Sequence, residues 1–356
     1  MACGGTGGHL FPGIAIAEEM RRRGAEVLVL ISQKQIDALA TEGYADLRFE
    51  RMPAIAMPPL VSLRTPGFLV RLALSIWRCW RLIGRFKADA VLGMGGFTSL
   101  PPLVAARLRG RPGFIHDSNA IPGKANRLSA RFAKVVLLGL EPAKKFFPGK
   151  DARVVGTPIR TALENGADRA EALAFFGLAE GRKTIIVMGG SQGAQGVNRA
   201  AADAAKILDP ERFQIVHIAG PADYDEVKAA YEGLAIPHHI APFCHRMEFA
   251  YAAADLAISR AGASSLTELA YFALPSILVP YPHAADDHQT ANAKVFTDAG
   301  AAVMMRQDDL GEGALAAEIK ALLEDESRLD AIREALGKLA AKDASAQICD
   351  LIEGIG

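Results

Sequence analysis

The chain has 356 residues, 50% hydrophobic and 22% charged, more than one hydrophobic core usually organises, so two globular units are expected. Its 40 basic and 40 acidic side chains cancel, so no global field draws it to nucleic acid, which is not expected as a partner, or to an anionic bilayer. Cys3, Cys79, Cys244 and Cys349 form no Cys-x-x-Cys pair, which argues against a zinc site or a disulfide framework and for a reducing compartment.

Residues Met1 to His9 carry neither a basic region nor an apolar run, so they do not read as a secretory leader, and the protein is expected to stay in the cytoplasm. Only Met1-Ala2-Cys3 precede the first glycine turn, so an incomplete inner strand with unpaired ladder neighbours is expected. Pro12 suits the first turn of a helix from Pro12 to Arg23 that Gly24 stops. Short β-rich runs then alternate with helical patterns, at Val27 to Ile31, Ala90 to Leu92, Phe114 to His116 and Val135 to Leu138, a rhythm of parallel βα units.

Within that series, Leu69, Leu72, Ile76, Trp80 and Ile83 recur at helical spacing beside Arg71, Arg78, Arg81 and Arg85. The arginines exclude a spanning helix, which needs about 20 nearly uncharged residues. An amphipathic helix over 68–87 with a cationic rim fits an anionic membrane surface, and a core helix with a basic edge is the alternative. The run Val154 to Arg160 stops at Gly156-Thr157-Pro158, where a division into residues 1–156 and 157–356 is expected. The rhythm resumes at Thr184 to Met188, Gln214 to Ile218, Leu256 to Ser259, Ser276 to Val279 and Ala302 to Met305. The expected class is α/β, two Rossmann-like doubly wound domains facing a cleft, because ligands of open sheets bind outside the carboxyl ends of the strands. From Ala331 onward the chain reads as helix, free to cap either half and to pack back on the first.

Three glycine turns stand out: Gly4-Gly5-Thr6-Gly7-Gly8-His9, Gly93-Met94-Gly95-Gly96-Phe97 and Gly189-Gly190-Ser191-Gln192-Gly193-Ala194. Glycine lets the backbone approach a ligand closely, and free N–H groups at a helix start bind phosphate. None of the turns matches Gly-x-Gly-x-x-Gly, since Leu10 and Thr98 occupy the third position, and no acid follows Ile31-Ser32-Gln33, so a dehydrogenase is not expected. No Walker lysine follows any turn, which disfavours a P-loop ATPase. In the segment Arg260 to Ala270, Ser265 and Glu268 have capping-box spacing, so Glu268 reads either as a helix cap or as a ligand contact. Asp286-Asp287 reads as a solvated turn rather than a magnesium site.

These turns, together with Phe11-Pro12-Gly13, Leu274-Pro275 and His288-Gln289-Thr290-Ala291-Asn292-Ala293, have the order and spacing of the MurG family, which the chain resembles over nearly its whole length. The resemblance implies the GT-B architecture and an inverting transfer of N-acetylglucosamine from UDP-N-acetylglucosamine to the 4-hydroxyl of the muramyl sugar of undecaprenyl-linked lipid I. The product would be lipid II of peptidoglycan synthesis. By position, Glu268 would take the ribose hydroxyls, the Cys244 backbone the uracil, and amides within Ala263-Ser264-Ser265-Leu266-Thr267 a phosphate. Ser191, Arg160 and Gln289 would complete the donor pocket, while Thr6, Gly7, Gly8 and Asn119 would approach the transferred sugar and the acceptor.

An inverting displacement needs a base for the acceptor hydroxyl, and His9 is the leading candidate, its alternative role being a hydrogen bond to the diphosphate or the loop. His116 and Asp117 come next. No metal or other cofactor is expected, because helix N-termini can balance the leaving diphosphate. The family usually reads His-Glu-Gln-Asn where this chain has His116-Asp117-Ser118-Asn119, and frequently tyrosine at Phe97. The resemblance further implies attachment to the cytoplasmic face of the inner membrane and work beside cell-wall or division machinery. Rival readings are a transferase acting on another lipid such as diacylglycerol, a UDP-N-acetylglucosamine epimerase, whose signature carboxylates are not evident, and a noncatalytic scaffold.

Overall fold

The structure, a computed structural model, describes every residue except 5, 6, 33–43, 45, 54–64, 191, 192, 312 and 356. Two compact units emerge, Met1–Arg160 with Ala341–Gly356, and Thr161–Ala340.

The first unit runs α1 (Gly7–Arg22), β1 (Leu28–Ser32), β2 (Arg48–Met52), α2 (Thr65–Phe86), β3 (Val91–Gly93), α3 (Leu100–Leu108), β4 (Gly113–Asp117), α4 (Lys124–Ser129), β5 (Val135–Leu138) and β6 (Asp151–Val154). Helix α1 begins at Gly7, ahead of the expected start at Pro12, so the proline lies inside it. That position removes only the N–H that would reach back to the Gly8 carbonyl, which the helix tolerates so near its beginning. Gly24 ends the helix at a φ of +88°, the left-handed conformation that favours glycine. Gly13 has no room for a Cβ, which would meet the Cys3 sulfur, so its lack of a side chain lets α1 lie directly on the sheet.

Strands β1 and β2 pair in parallel, as do β3 to β6 in that order. Met1–Cys3 join the two groups. The Leu30 amide donates to Met1 O and the Cys3 amide to Leu30 O, while Ala2 N donates to Leu92 O and Met94 N to Ala2 O, at 2.8–2.9 Å. The expected gap in the ladder is therefore bridged by three residues. Taking that segment as strand one, the order is 3-2-1-4-5-6-7, with the reversal of direction between Met1–Cys3 and β3.

Helix α2 divides differently from the periodicity. Phe68, Cys79 and Ile83 are buried and Leu72 and Ile76 half-buried, whereas Leu69, Val70, Leu74, Trp77 and Trp80 are 39–60% exposed. The stripe containing Ile83 serves the core, and a second, outward stripe carries the tryptophans. Arg81 lies over Trp77 and Arg109 over Trp80, at 5.0 and 3.8 Å from the ring centroids. Among the described residues no helix is long and apolar enough to cross a membrane.

The second unit runs α5 (Thr161–Glu164), α6 (Arg169–Phe175), β7 (Lys183–Met188), α7 (Gln195–Ala205), β8 (Phe213–Ile218), α8 (Tyr224–Tyr231), β9 (His238–Ala241), α9 (Met247–Ala253), β10 (Leu256–Ser259), α10 (Ala263–Tyr271), β11 (Ser276–Leu278), α11 (His288–Asp298), β12 (Val303–Met304), α12 (Ala314–Leu323) and α13 (Glu326–Leu339). Its parallel sheet has the order β12-β11-β10-β7-β8-β9, which in chain order is the doubly wound 3-2-1-4-5-6 with its reversal between β7 and β10. Three strands that the apolar runs did not reveal, β2, β6 and β9, lie at sheet edges, where each pairs on one side only and stays partly exposed. Such strands need no continuous apolar run.

The chain then returns to the first unit as α14 (Ala344–Glu353), whose Ile348 and Cys349 are fully buried among Leu10, Ile14, Val29 and Phe114. Arg23 on the following turn of α1 clamps this helix, bonding Asp350 at 2.6 Å and Glu353 at 3.0 Å.

Candidate functional site

In the first unit, the turns at the reversal point are held from behind by small hydroxyls. Gly95 and Gly96 have φ of +119° and +71°. Ser99 Oγ accepts from Gly95 N at 3.0 Å and approaches Gly95 O at 2.9 Å, while Thr98 Oγ1 donates to Gly4 O at 2.6 Å. His9, in the first turn of α1, lies against this turn: a Cβ on Gly95 would fall 2.8 Å from its Nε2. Gly7 and Gly8 open the same helix. Arg160 lies over the Phe11 ring, 4.5 Å from its centroid, and hydrogen-bonds Tyr44.

Asp117, at the carboxyl end of β4, organises the neighbouring loop. It accepts from Asn119 N at 2.9 Å, Gly123 N at 3.2 Å and Asn126 Nδ2 at 2.6 Å, and Asn126 Oδ1 in turn accepts from Gly96 N at 2.9 Å. Burial raises the Asp117 carboxyl above its ordinary range, opposed by these donors. His116 points into the core. Its Nε2 is 2.9 Å from Gly156 O, so that nitrogen carries the proton, and burial lowers its pKa to about 4. Asp117 thus ties the Asn119 loop, through Asn126, to the glycine turn, while the His116 side chain is tied to Gly156.

In the second unit, the turn after β7 folds through Gly190 and Gly193, with φ of +82° and +78°. Below it runs a buried chain of side chains. Asn198 on α7 donates to Ala219 O and Asp223, both at 2.9 Å, so its Oδ1 accepts from His217 Nε2 at 3.0 Å. His217 Nδ1 must then accept the Tyr231 hydroxyl at 3.1 Å. Burial lowers His217 to about 3, so it stays neutral.

Helix α10 opens at Ala263 with Gly262 as its N-cap, so Ser265 lies inside the helix and the capping box is absent. Glu268 instead accepts the Tyr251 hydroxyl at 2.5 Å. Within the run, Leu266 is buried in the core, Thr267 Oγ1 donates to Ala263 O at 2.9 Å, and Ser264, Ser265, Thr267 and Glu268 are half-buried. Cys244 lies half-buried after β9, between Phe243 and His245. Gln289, in the first turn of α11, accepts from Tyr281 N at 2.9 Å.

Cys244, Ala263 to Glu268 and Gln289 therefore lie on segments that leave the carboxyl edge of one sheet, and Gly7, Gly8, His9 and Asn119 on segments that leave the carboxyl edge of the other. Thr6 and Ser191 lie outside the described residues. Sequence reasoning missed Tyr251, Asn126 and the buried Arg260, whose guanidinium bonds Val279 O, Pro280 O and Gln307 Oε1 at 2.6–3.2 Å. Their partners are remote along the chain, so no local spacing could have marked them.

Residues 1–138 match the glycosyltransferase family 28 N-terminal domain and residues 184–348 its C-terminal domain. The UDP-N-acetylglucosamine–N-acetylmuramyl-(pentapeptide) pyrophosphoryl-undecaprenol N-acetylglucosamine transferase of Methylococcus capsulatus is 41% identical over 352 residues, 97% of this chain and 96% of that protein. The enzyme of the same name from Myxococcus xanthus is 36% identical over 99% of this chain and 91% of its own. Among solved structures, Acinetobacter baumannii MurG superposes with a TM-score of 0.77 at 28% identity, covering 99% of this chain and 98% of that one. A UDP-N-acetylglucosamine 2-epimerase with a TM-score of 0.70 is 14% identical and shares the fold alone. Two Rossmann-like units with glycine turns at both reversal points, matched end to end by these relatives, place the chain in glycosyltransferase family 28, and it belongs there to the MurG family of N-acetylglucosaminyltransferases.

Proposed function

We propose that the chain transfers N-acetylglucosamine from UDP-N-acetylglucosamine to the muramyl 4-hydroxyl of an undecaprenyl-diphosphate-linked acceptor, with inversion, giving a peptidoglycan precursor. The observation that carries this reading is the 41% identity to the Methylococcus transferase over nearly the full length of both chains. The acceptor oxygen attacks the anomeric carbon as its bond to the UDP oxygen breaks, and a base takes the hydroxyl proton. His9 suits that base role, lying in the first turn of α1 beside Gly95 and Gly96 at the carboxyl edge of its sheet. Donor binding falls to the second unit: Glu268 accepts the ribose hydroxyls, the Cys244 backbone reads the base, and the α10 amides at Ala263 to Ser265 oppose the diphosphate charge, with Gln289, Arg160 and Ser191 completing the pocket. Thr6, Gly7, Gly8 and Asn119 receive the transferred sugar and acceptor.

The outward stripe of α2, Leu69, Val70, Leu74, Trp77 and Trp80 beside Arg78 and Arg81, is the surface that rests on an anionic membrane. On this reading the enzyme works at the cytoplasmic face of the inner membrane, where its lipid substrate lies, alongside cell-wall and division machinery. The test is UDP release with a short-chain lipid I analogue, read together with the product mass. Gain of one N-acetylhexosamine on the muramyl lipid supports the reading. Release of UDP only with diacylglycerol, or conversion of the donor without an acceptor, defeats it.

A further inference from the structure

Glu268 on α10 is steadied by a residue of another helix. Tyr251 reaches it from α9, and the Tyr251 hydroxyl donates to Glu268 Oε2 at 2.5 Å. The same hydroxyl lies 3.7 Å from the sulfur of Met188, the last residue of β7, one of the two strands between which the order of the sheet reverses. The Tyr251 side chain is itself fixed. The residue is only 3% exposed, and its ring stacks on Phe272 with centroids 4.9 Å apart and planes at 28°.

A buried phenol needs an acceptor, and a thioether sulfur is a weak one, so the carboxylate is the partner that satisfies Tyr251. A backbone carbonyl would serve that need as well. A carboxylate does more, because an O–H···O⁻ bond of 2.5 Å is at the short, strong end for charged acceptors and fixes where the charge lies. Glutamate turns about several side-chain bonds and loses much rotamer freedom when it is held. With Tyr251 locked by Phe272 and the core, that freedom is lost on folding instead of on the arrival of a nucleotide, which is how a preorganised site gains affinity. Glu268 is half-buried, so the fixed residue still borders solvent.

We infer that Tyr251 is a positioning residue for the nucleotide and sets how strongly the site distinguishes ribose from 2′-deoxyribose. This rests on the proposed contact between Glu268 and the ribose hydroxyls. A carboxylate able to turn follows whichever hydroxyl is present or retreats into water, so a missing 2′-hydroxyl costs little. A carboxylate tied at Oε2 cannot retreat, and a 2′-deoxy sugar leaves it short of a donor in a half-buried place, where an unmet charge is costly. Tyr251 is buried and acts through the carboxylate, so its effect falls on nucleotide affinity and on KM for the donor, not on kcat.

The experiment titrates UDP and 2′-deoxy-UDP by calorimetry into the full chain and into Tyr251→Phe, which keeps the ring on Phe272 and removes only the hydroxyl. The wild type should bind 2′-deoxy-UDP on the order of 10-fold more weakly than UDP. In Tyr251→Phe that ratio should shrink to about 3-fold or less, with KM for UDP-N-acetylglucosamine raised and kcat at saturating donor unchanged. Should Tyr251→Phe fail to fold, Phe272→Leu, which removes the stacked ring and leaves the hydroxyl, is read in the same way. A ratio that keeps its wild-type value in the folded variant, even with both affinities lowered alike, assigns Tyr251 to packing and overturns the inference while leaving the ribose contact of Glu268 intact. A wild type that binds both nucleotides equally also overturns it. If Glu268→Gln is then without effect on UDP affinity, the ribose reading of Glu268 falls as well.

Discussion

Glu268 lies 2.5 Å from the Tyr251 hydroxyl inside a helix that already has its N-cap, so losing its charge should affect the donor far more than the fold. Glu268→Gln keeps an acceptor for Tyr251 and removes the charge offered to the ribose. Donor affinity by calorimetry should fall about 10- to 150-fold, the equivalent of about 1.5 to 3 kcal/mol, with the unfolding midpoint unchanged. Equal affinities would remove the ribose role. His9→Ala separates base from anchor in the same way. A lost general base costs on the order of 10²- to 10⁴-fold in kcat, whereas a lost hydrogen bond to diphosphate raises KM and spares kcat. Burial sets a third outcome. His116 and His217 are held neutral, at about 4 and about 3 against an ordinary 6.5. Between those values and 6.5 the unfolded chain binds a proton that the folded chain refuses, so stability is intact above pH 6.5 and lost as pH falls. The slope from each histidine is about 1.4 kcal/mol per pH unit. With one such histidine in each unit, urea unfolding at mildly acidic pH should show both units weakened, and midpoints independent of pH would contradict the assignment.

Helix α2 shows why periodicity alone misjudges which face is which. Apolar residues occur around most of its circumference, so the pattern does not reveal that Cys79 and Ile83 pack inward while Leu74 and Trp77 face out. Packing decides that division, and it makes a prediction possible. Because the outward residues support nothing inside, Leu74→Glu/Trp77→Glu should leave the melting temperature nearly unchanged, since exposed substitutions usually shift stability by no more than about 0.5 kcal/mol. Co-sedimentation with anionic vesicles should fall at least 10-fold, because the apolar face and its cationic rim act together. Retained vesicle binding would assign membrane attachment to another surface. Asn126 makes the parallel case for a loop. Its amide spans Gly96 and Asp117, so Asn126→Asp sets two carboxylates together and leaves Asp117 without that donor; a loss of about 1 to 3 kcal/mol is expected in chemical unfolding.

At the scale of the molecule, the chain crosses from one unit to the other and returns. Residues Ala341–Gly356 belong to the first unit, and Ile348 and Cys349 are fully buried there. Deleting them removes Ile348, worth about 1.5 to 3 kcal/mol when buried, and the smaller buried side chains of Ala344 and Cys349. A chain ending at Ala340 should therefore show a lower unfolding transition for the first unit, while UDP affinity, which the proposed donor site assigns mainly to the second, changes little. Loss of UDP binding together with an unchanged first-unit transition would refute the division of labour.

Much of this organisation was legible from residue order alone. Repeated apolar runs marked nine strand segments, eight of them inner and one, β12, at an edge, and the glycine turns marked the places where each sheet reverses direction, because glycine geometry and β-periodicity are local properties. Edge strands β2, β6 and β9 were not legible, since half-exposed strands carry no apolar run. Neither were the Tyr251 bond to Glu268, the Asp117-Asn126-Gly96 linkage or the buried place of His116, because each depends on residues that only the sheet topology brings together. Local chemistry set the elements and their glycine turns; which side chains were left to face a ligand was decided by which others the core had already claimed.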